Sequence, residues 1–276
     1  LLTYRGIDPG PAASPGPGMK PGGALLAVTL IALGGAGLLR ADFAAILAPV
    51  SRAMPARDAL INISGVVLLA CGAGLLWRRA SGAAARVLVV FLALWLLLVR
   101  ARVILRAPGD AGSWESCGEI AVLVAAAWAL YARTAPAWDV RHLAAASGAR
   151  GVRLATVLYG LALVAFGVAH IAYLKETADL VPHWLPAPRA WVWLTGATYV
   201  AAGVALLAGR LIRLVTALSA VQIGAFTLLV WIPAVARGTA DAGAWSECVI
   251  SWTLTAAAWV LAEAVRAPVP IARRPD

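Results

Sequence analysis

Side chains able to do chemistry gather in two stretches 131 residues apart. Residues 110–128 read DAGSWESCGEIAVLVAAAW, and residues 241–259 read DAGAWSECVISWTLTAAAW. Each sets an Asp, a Trp, a Glu and a Cys ahead of an apolar run. Glu115 and Glu119 are four apart, on one face of any helix that holds them, and Glu247 opens the second run. A carboxylate at membrane depth is costly unless paired or wetted, which suits proton handling or ligand orientation. The plainer reading is a solvated helix start, where acids complement the dipole. The copies differ in detail: Glu115 aligns with Ser246, Ser116 with Glu247 and Glu119 with Ile250. A strictly symmetric pair of carboxylates is therefore not expected.

Cys117 and Cys248 occupy equivalent positions, and two readings stand. They form a disulfide or redox pair across a pseudo-twofold axis, or they are packed free thiols. Cys71 reads as a small buried hydrophobe. Three cysteines without a CxxC make neither a disulfide framework nor a zinc site. Histidines near this end occur only in the second half, His170 after an apolar run and His183 in VPHWLP, with Tyr173, Lys175, Glu176 and Asp179 close by. Two histidines thirteen apart are a poor metal or haem signal, and no metal is assigned. A polar lip on a lipid-facing cleft that admits a quinone or similar amphiphile is one reading, and a structural loop the other. The residues put forward for catalysis are His170, Glu247 and Cys248. Those put forward for ligand binding are His183, Trp184, Trp245 and Glu176.

Arg106 and Asp110, like Arg237 and Asp241, are four apart and suit an interfacial ion pair. Trp114 and Trp245 read as belt residues at the same boundary. Glu263 and Arg266 read as a pair at the opposite boundary.

These residues must be positioned by elements suited to lipid. The chain is 62% hydrophobic and 13% charged, against about 25% charge in soluble domains. Eight apolar runs, roughly 22–39, 59–77, 83–105, 117–133, 152–172, 190–208, 211–233 and 247–264, have near-bilayer length, the fourth and eighth being short. Backbone polar groups in lipid must be satisfied locally, so the runs are helices. The net charge of +10 comes without a basic stripe interleaved with aromatics, which excludes nucleic acid as a partner. Partners are the bilayer and, on the redox reading, a quinone with a soluble or membrane redox protein.

The 131-residue offset runs ungapped from Pro55 and Pro186 to Trp128 and Trp259, pairing Gly65 with Gly196, Gly72 with Gly203 and Arg79 with Arg210. That is the mark of tandem duplication. The expected fold is an all-α membrane protein of eight transmembrane helices in two parallel four-helix repeats, 19–133 and 152–266. A cytoplasmic linker covers 134–151, and a cytoplasmic tail covers 267–276. Residues 1–18, rich in Pro and Gly, read as a disordered tail or a mis-assigned start ahead of Met19. One set of loop ends holds fourteen Lys and Arg against four acids, the other nine against nine. The positive-inside rule then puts both termini in the cytoplasm and the Asp-Trp-Glu-Cys clusters outside.

The second half also carries Phe166, Gly167 and His170, then Pro182, Trp184, Leu185 and Pro186, then Gly196, Gly203, Gly209, Arg210 and Arg213. Over roughly residues 155–262 it resembles the DoxX-like family of small four-helix bacterial membrane proteins. The first half keeps Pro55, Gly65, Gly72, Arg79 and the Trp-Glu-Ser-Cys cluster but lacks the His and Trp-Leu-Pro. The family includes a small subunit of a thiosulfate:quinone oxidoreductase and members linked to thiol and oxidative-stress chemistry. The resemblance implies a component of a membrane redox system in the bacterial inner membrane, with quinone as the candidate cofactor and the site in the second half. No catalytic residue is carried over from the family. A non-enzymatic scaffold is the alternative. A small-molecule transporter comes third, because the spans read as uninterrupted and transport favours broken helices.

Overall fold

The computed structural model describes residues 19–238 and 241–266; the expected tails 1–18 and 267–276 lie outside them. Every regular element among the described residues is helical. Eight helices are long and apolar enough to cross a membrane: α1 Pro21–Arg40, α2 Arg57–Leu76, α3 Ser81–Arg106, α4 Ala111–Thr134, α5 Gly148–Ala172, α6 Pro188–Leu207, α7 Ile212–Ala236 and α8 Ala242–Arg266. The protein is an all-α membrane protein.

Burial divides these helices by role. The most apolar windows of α4 and α8 are 72% and 61% buried, whereas those of α3, α6 and α7 lie between 22% and 28%. So α4 and α8 are the central pair, and α3, α6 and α7 face the lipid. Small side chains make the centre tight: Ala125, Ala126 and Ala127 of α4 and Ala256, Ala257 and Ala258 of α8 are fully buried. Glycines bring α1 against α2 and α5 against α6. A Cβ on Gly34 would lie 2.5 Å from the Gly65 carbonyl, and one on Gly167 would lie 2.5 Å from the Gly196 carbonyl. Only glycine permits either approach.

Several local features recur at the offset seen in the sequence. Ala56 and Ala187 both turn into their helices with a left-handed φ of 53°. α3 and α7 are each interrupted by a π-helical turn, Leu96–Arg100 and Thr227–Trp231. The spans are therefore not the uninterrupted helices expected from the sequence.

Other expectations are corrected here. The fourth and eighth spans are not short, because their helices take in the polar clusters and start at Ala111 and Ala242. Asp110 is no partner of Arg106. A turn separates the two helices, and Asp110 instead caps α4, accepting from the Ser113 backbone N–H at 2.8 Å and its hydroxyl at 2.7 Å. Asp241 accepts from the Ala244 N–H at 2.8 Å in the same way. Glu263 turns from Arg266 to the start of α1, where it accepts from the Gly22 N–H at 3.1 Å. The segment 134–151 holds a short docked helix, Ala137–His142. Its buried Asp139 accepts from Arg86 Nη1 at 3.1 Å and the Tyr131 hydroxyl at 3.0 Å.

Candidate functional site

The ends of α1, α3 and α5 and the starts of α2, α4, α6 and α8 share one side of the bundle. A cavity of about 470 Å³ opens there, between α4, α5, α6, α7 and α8. Its acids are Glu115 and Glu119 from α4 and Glu247 from α8, with Glu176 on the rim. The cap on α4 fixes the helical phase that turns Glu115 and Glu119 to one side. The Tyr173 hydroxyl locks that corner by donating to Asp110 while accepting from the Gly112 N–H at 3.2 Å. Glu115 and Glu119 are half-buried and Glu247 is exposed at the mouth. All three are within electrostatic range of one another.

Both π turns deliver a residue to this neighbourhood. Trp231 ends the second and lines the cavity. Arg100 ends the first and is 1% exposed, with its Nη2 bonded to the Ala48 carbonyl and 3.9 Å from Glu119 Oε2. Its Nε has no hydrogen-bond partner. Arg100 therefore sits behind Glu119, tied to the buried segment Ala45–Leu47. The Arg100 carbonyl accepts from the Cys117 thiol at 3.2 Å. In the second π turn the Thr227 hydroxyl lies 2.7 Å from that of Ser251 and 2.8 Å from that of Thr255.

The opposite wall is aromatic. His170 holds its Nδ1 2.8 Å from the Phe166 carbonyl, an arrangement that makes Nδ1 the donor and leaves Nε2 as an acceptor. Its ring is edge-on to Tyr199 at 5.3 Å and to Phe226 at 5.5 Å, and Tyr199 stacks on Phe226 at 6.4 Å. Faces of such rings attract cations.

Of the residues expected at the site, His170, Glu247 and Glu176 line this cavity, together with Glu115 and Glu119. His183 is exposed in the loop before α6 and lines neither this cavity nor its neighbour. Trp184 borders an adjoining apolar pocket. Trp245 and Cys248 line a separate cavity of about 680 Å³ between α1 and α8. Cys117 and Cys248 are both free, the first buried against Arg100 and the second turned to that other cavity. Helical phase explains the separation: Glu247 and Cys248 are neighbours in sequence and so point about 100° apart.

Sequence reasoning missed Arg100, Tyr199, Phe226 and Trp231, and placed Tyr173 in the polar lip without its bond to Asp110. Arg100 had a visible signal, an arginine well inside an apolar run. The aromatics had none, since a ring on a transmembrane helix reads as packing. Among the described residues, no group of three or more His, Cys, Asp or Glu side chains is arranged to hold a metal ion. No family model matches the chain, and neither a curated protein nor a solved structure is found to be similar to it.

Proposed function

We propose that this membrane protein binds a small organic cation, a protonated amine, in the cavity at the loop end of α4, α5 and α8. One observation carries the reading: Glu115, Glu119 and Glu247 converge on one cavity, and among the described residues Arg100 is the only cation paired to any of them. A carboxylate partly withdrawn from water either takes up a proton or gains from a compensating positive charge. Among the described residues Glu115 has no such partner beside it, while Glu119 has only the Arg100 guanidinium at 3.9 Å. The Tyr199 and Phe226 rings that line the same cavity supply complementary surface for an ammonium group. A volume of about 470 Å³ falls in the range of small-molecule sites. On the charge asymmetry of the loops, the termini are cytoplasmic and the cavity opens outward; the DoxX-like resemblance implies a bacterial inner membrane.

The test is calorimetric titration of the detergent-solubilised protein with butylammonium, butanol and butyrate. Butylammonium is expected to bind saturably, and the other two are not. Glu115→Gln is expected to weaken binding by tenfold or more. Butanol binding as well as butylammonium would overturn the reading.

A second reading has support of its own. His170, with Nε2 available, stands with carboxylates in a largely apolar cavity, a set able to pass protons to a quinone as it is reduced. The DoxX-like resemblance points the same way, toward a membrane redox component. Mass spectrometry of lipid extracts decides it: a stoichiometric quinone, lost in His170→Ala, would favour this reading over the amine.

A further inference from the structure

The acid cavity has a neighbour. An apolar pocket of about 250 Å³ lies between α6, α7 and the loop ahead of α6, and the two share Thr177, Leu180 and Phe226 as a common wall. Its lining is almost wholly hydrocarbon and indole, including Trp184, Trp191, Leu229 and Val230. Gln222 and Trp191, two of its polar side chains, already have partners. Gln222 donates to the Thr195 carbonyl at 3.1 Å and accepts from the Thr198 hydroxyl at 3.0 Å. Trp191 Nε1 donates to the Pro186 carbonyl at 3.1 Å, which holds its ring against the pocket. Such a pocket offers a ligand chiefly apolar contact. It also sits on α6 and α7, two of the helices turned toward lipid.

We infer that the two cavities are halves of one site, and that the ligand is a single-chain cationic amphiphile. Its ammonium head lies among Glu115, Glu119 and Glu247, and its alkyl chain passes Phe226 into the pocket between α6 and α7. This rests on the amine reading and adds the chain. Charge complementarity sets the head, and the lining shared with the acid cavity at Thr177, Leu180 and Phe226 sets the direction of the tail. Entry from the bilayer follows, because the tail pocket lies between lipid-facing helices.

The test is a series of n-alkylammonium ions from butyl to decyl, titrated into wild type and Ala225→Phe in the same detergent. Ala225 lines the tail pocket alone and is absent from the acid cavity. The ratio of the two dissociation constants at each length cancels partition into the micelle. Each methylene buried in the pocket is expected to tighten wild-type binding by about threefold to fourfold. The ratio should therefore rise with chain length while butylammonium binds both proteins alike. A ratio that stays flat across the series overturns the inference and leaves the amine reading standing. Failure of wild type to bind butylammonium sinks the amine reading itself, and the inference with it. If Ala225→Phe does not fold, Leu229→Ala replaces it by removing wall area, and an unchanged gain per methylene overturns the inference equally.

Discussion

Arg100 holds two parts of the chain with one guanidinium, the carbonyl of Ala48 and the carboxylate of Glu119. Breaking a buried pair from one side leaves the other charge uncompensated, at a cost of about 3–5 kcal/mol. Arg100→Met is expected to lower the thermal midpoint in detergent strongly, and adding Glu119→Gln to restore much of it. Equal losses in the single and double variants would show that the two residues act separately. Asp110 supports a prediction about pH. Hydrogen bonds from the Tyr173 hydroxyl, then from the Ser113 hydroxyl and backbone, hold its carboxyl below the ordinary value. A carboxylate depressed on folding stabilises the fold above its unfolded value, and the benefit fades as pH falls through the folded one. The corner of α4 and α5 is thus expected to stay closed at neutral pH and to open only below about pH 4. Hydrogen exchange of the Gly112 and Ser113 amides against pH reads this directly. Protection lost already at pH 6 would assign the closure to another group.

The elements that carry the site depend on how closely α5 approaches α6. His170 lies three residues beyond Gly167, and Tyr199 three beyond Gly196, so the close approach that the two glycines permit sets the distance between the two rings. Gly167→Ala would push against backbone, which cannot rotate away as a side chain can. A loss of about 1–3 kcal/mol is expected, with weaker butylammonium binding as the aromatic wall parts. Gly35→Ala is the control, since a Cβ there meets nothing within 4 Å. It should be neutral or slightly stabilising, because alanine favours helix. Similar midpoints for the two variants would mean that α5 and α6 tolerate separation.

At the scale of the molecule, the eight spans were legible from apolar runs alone, because lipid leaves a chain few other choices. So were the acids, which stand out against hydrocarbon. The helix starts were misjudged for a physical reason. Read from the onset of the apolar runs, the two spans begin at 117 and 247, yet an Asp cap lets each helix begin earlier, as Asp110 and Asp241 do. The grouping of the site was legible in part. His170 of α5 and Glu247 of α8 line one cavity, but Cys248 is carried away by one step of helical rotation. Arg100 and Trp231 could not be placed, since a π turn leaves no mark in residue type.

That hidden turn has a consequence for the history of the chain. A π turn is an α-helix with one residue in surplus, and removing the surplus restores an ordinary helix without disturbing either flank. Yet the offset of 131 passes through Leu96–Arg100 and Thr227–Trp231 with no gap. If the two stretches are copies, the insertion came before the copying. A single ancestral half already bulged there, before Arg100 and Trp231 diverged into one buried cation and one indole wall.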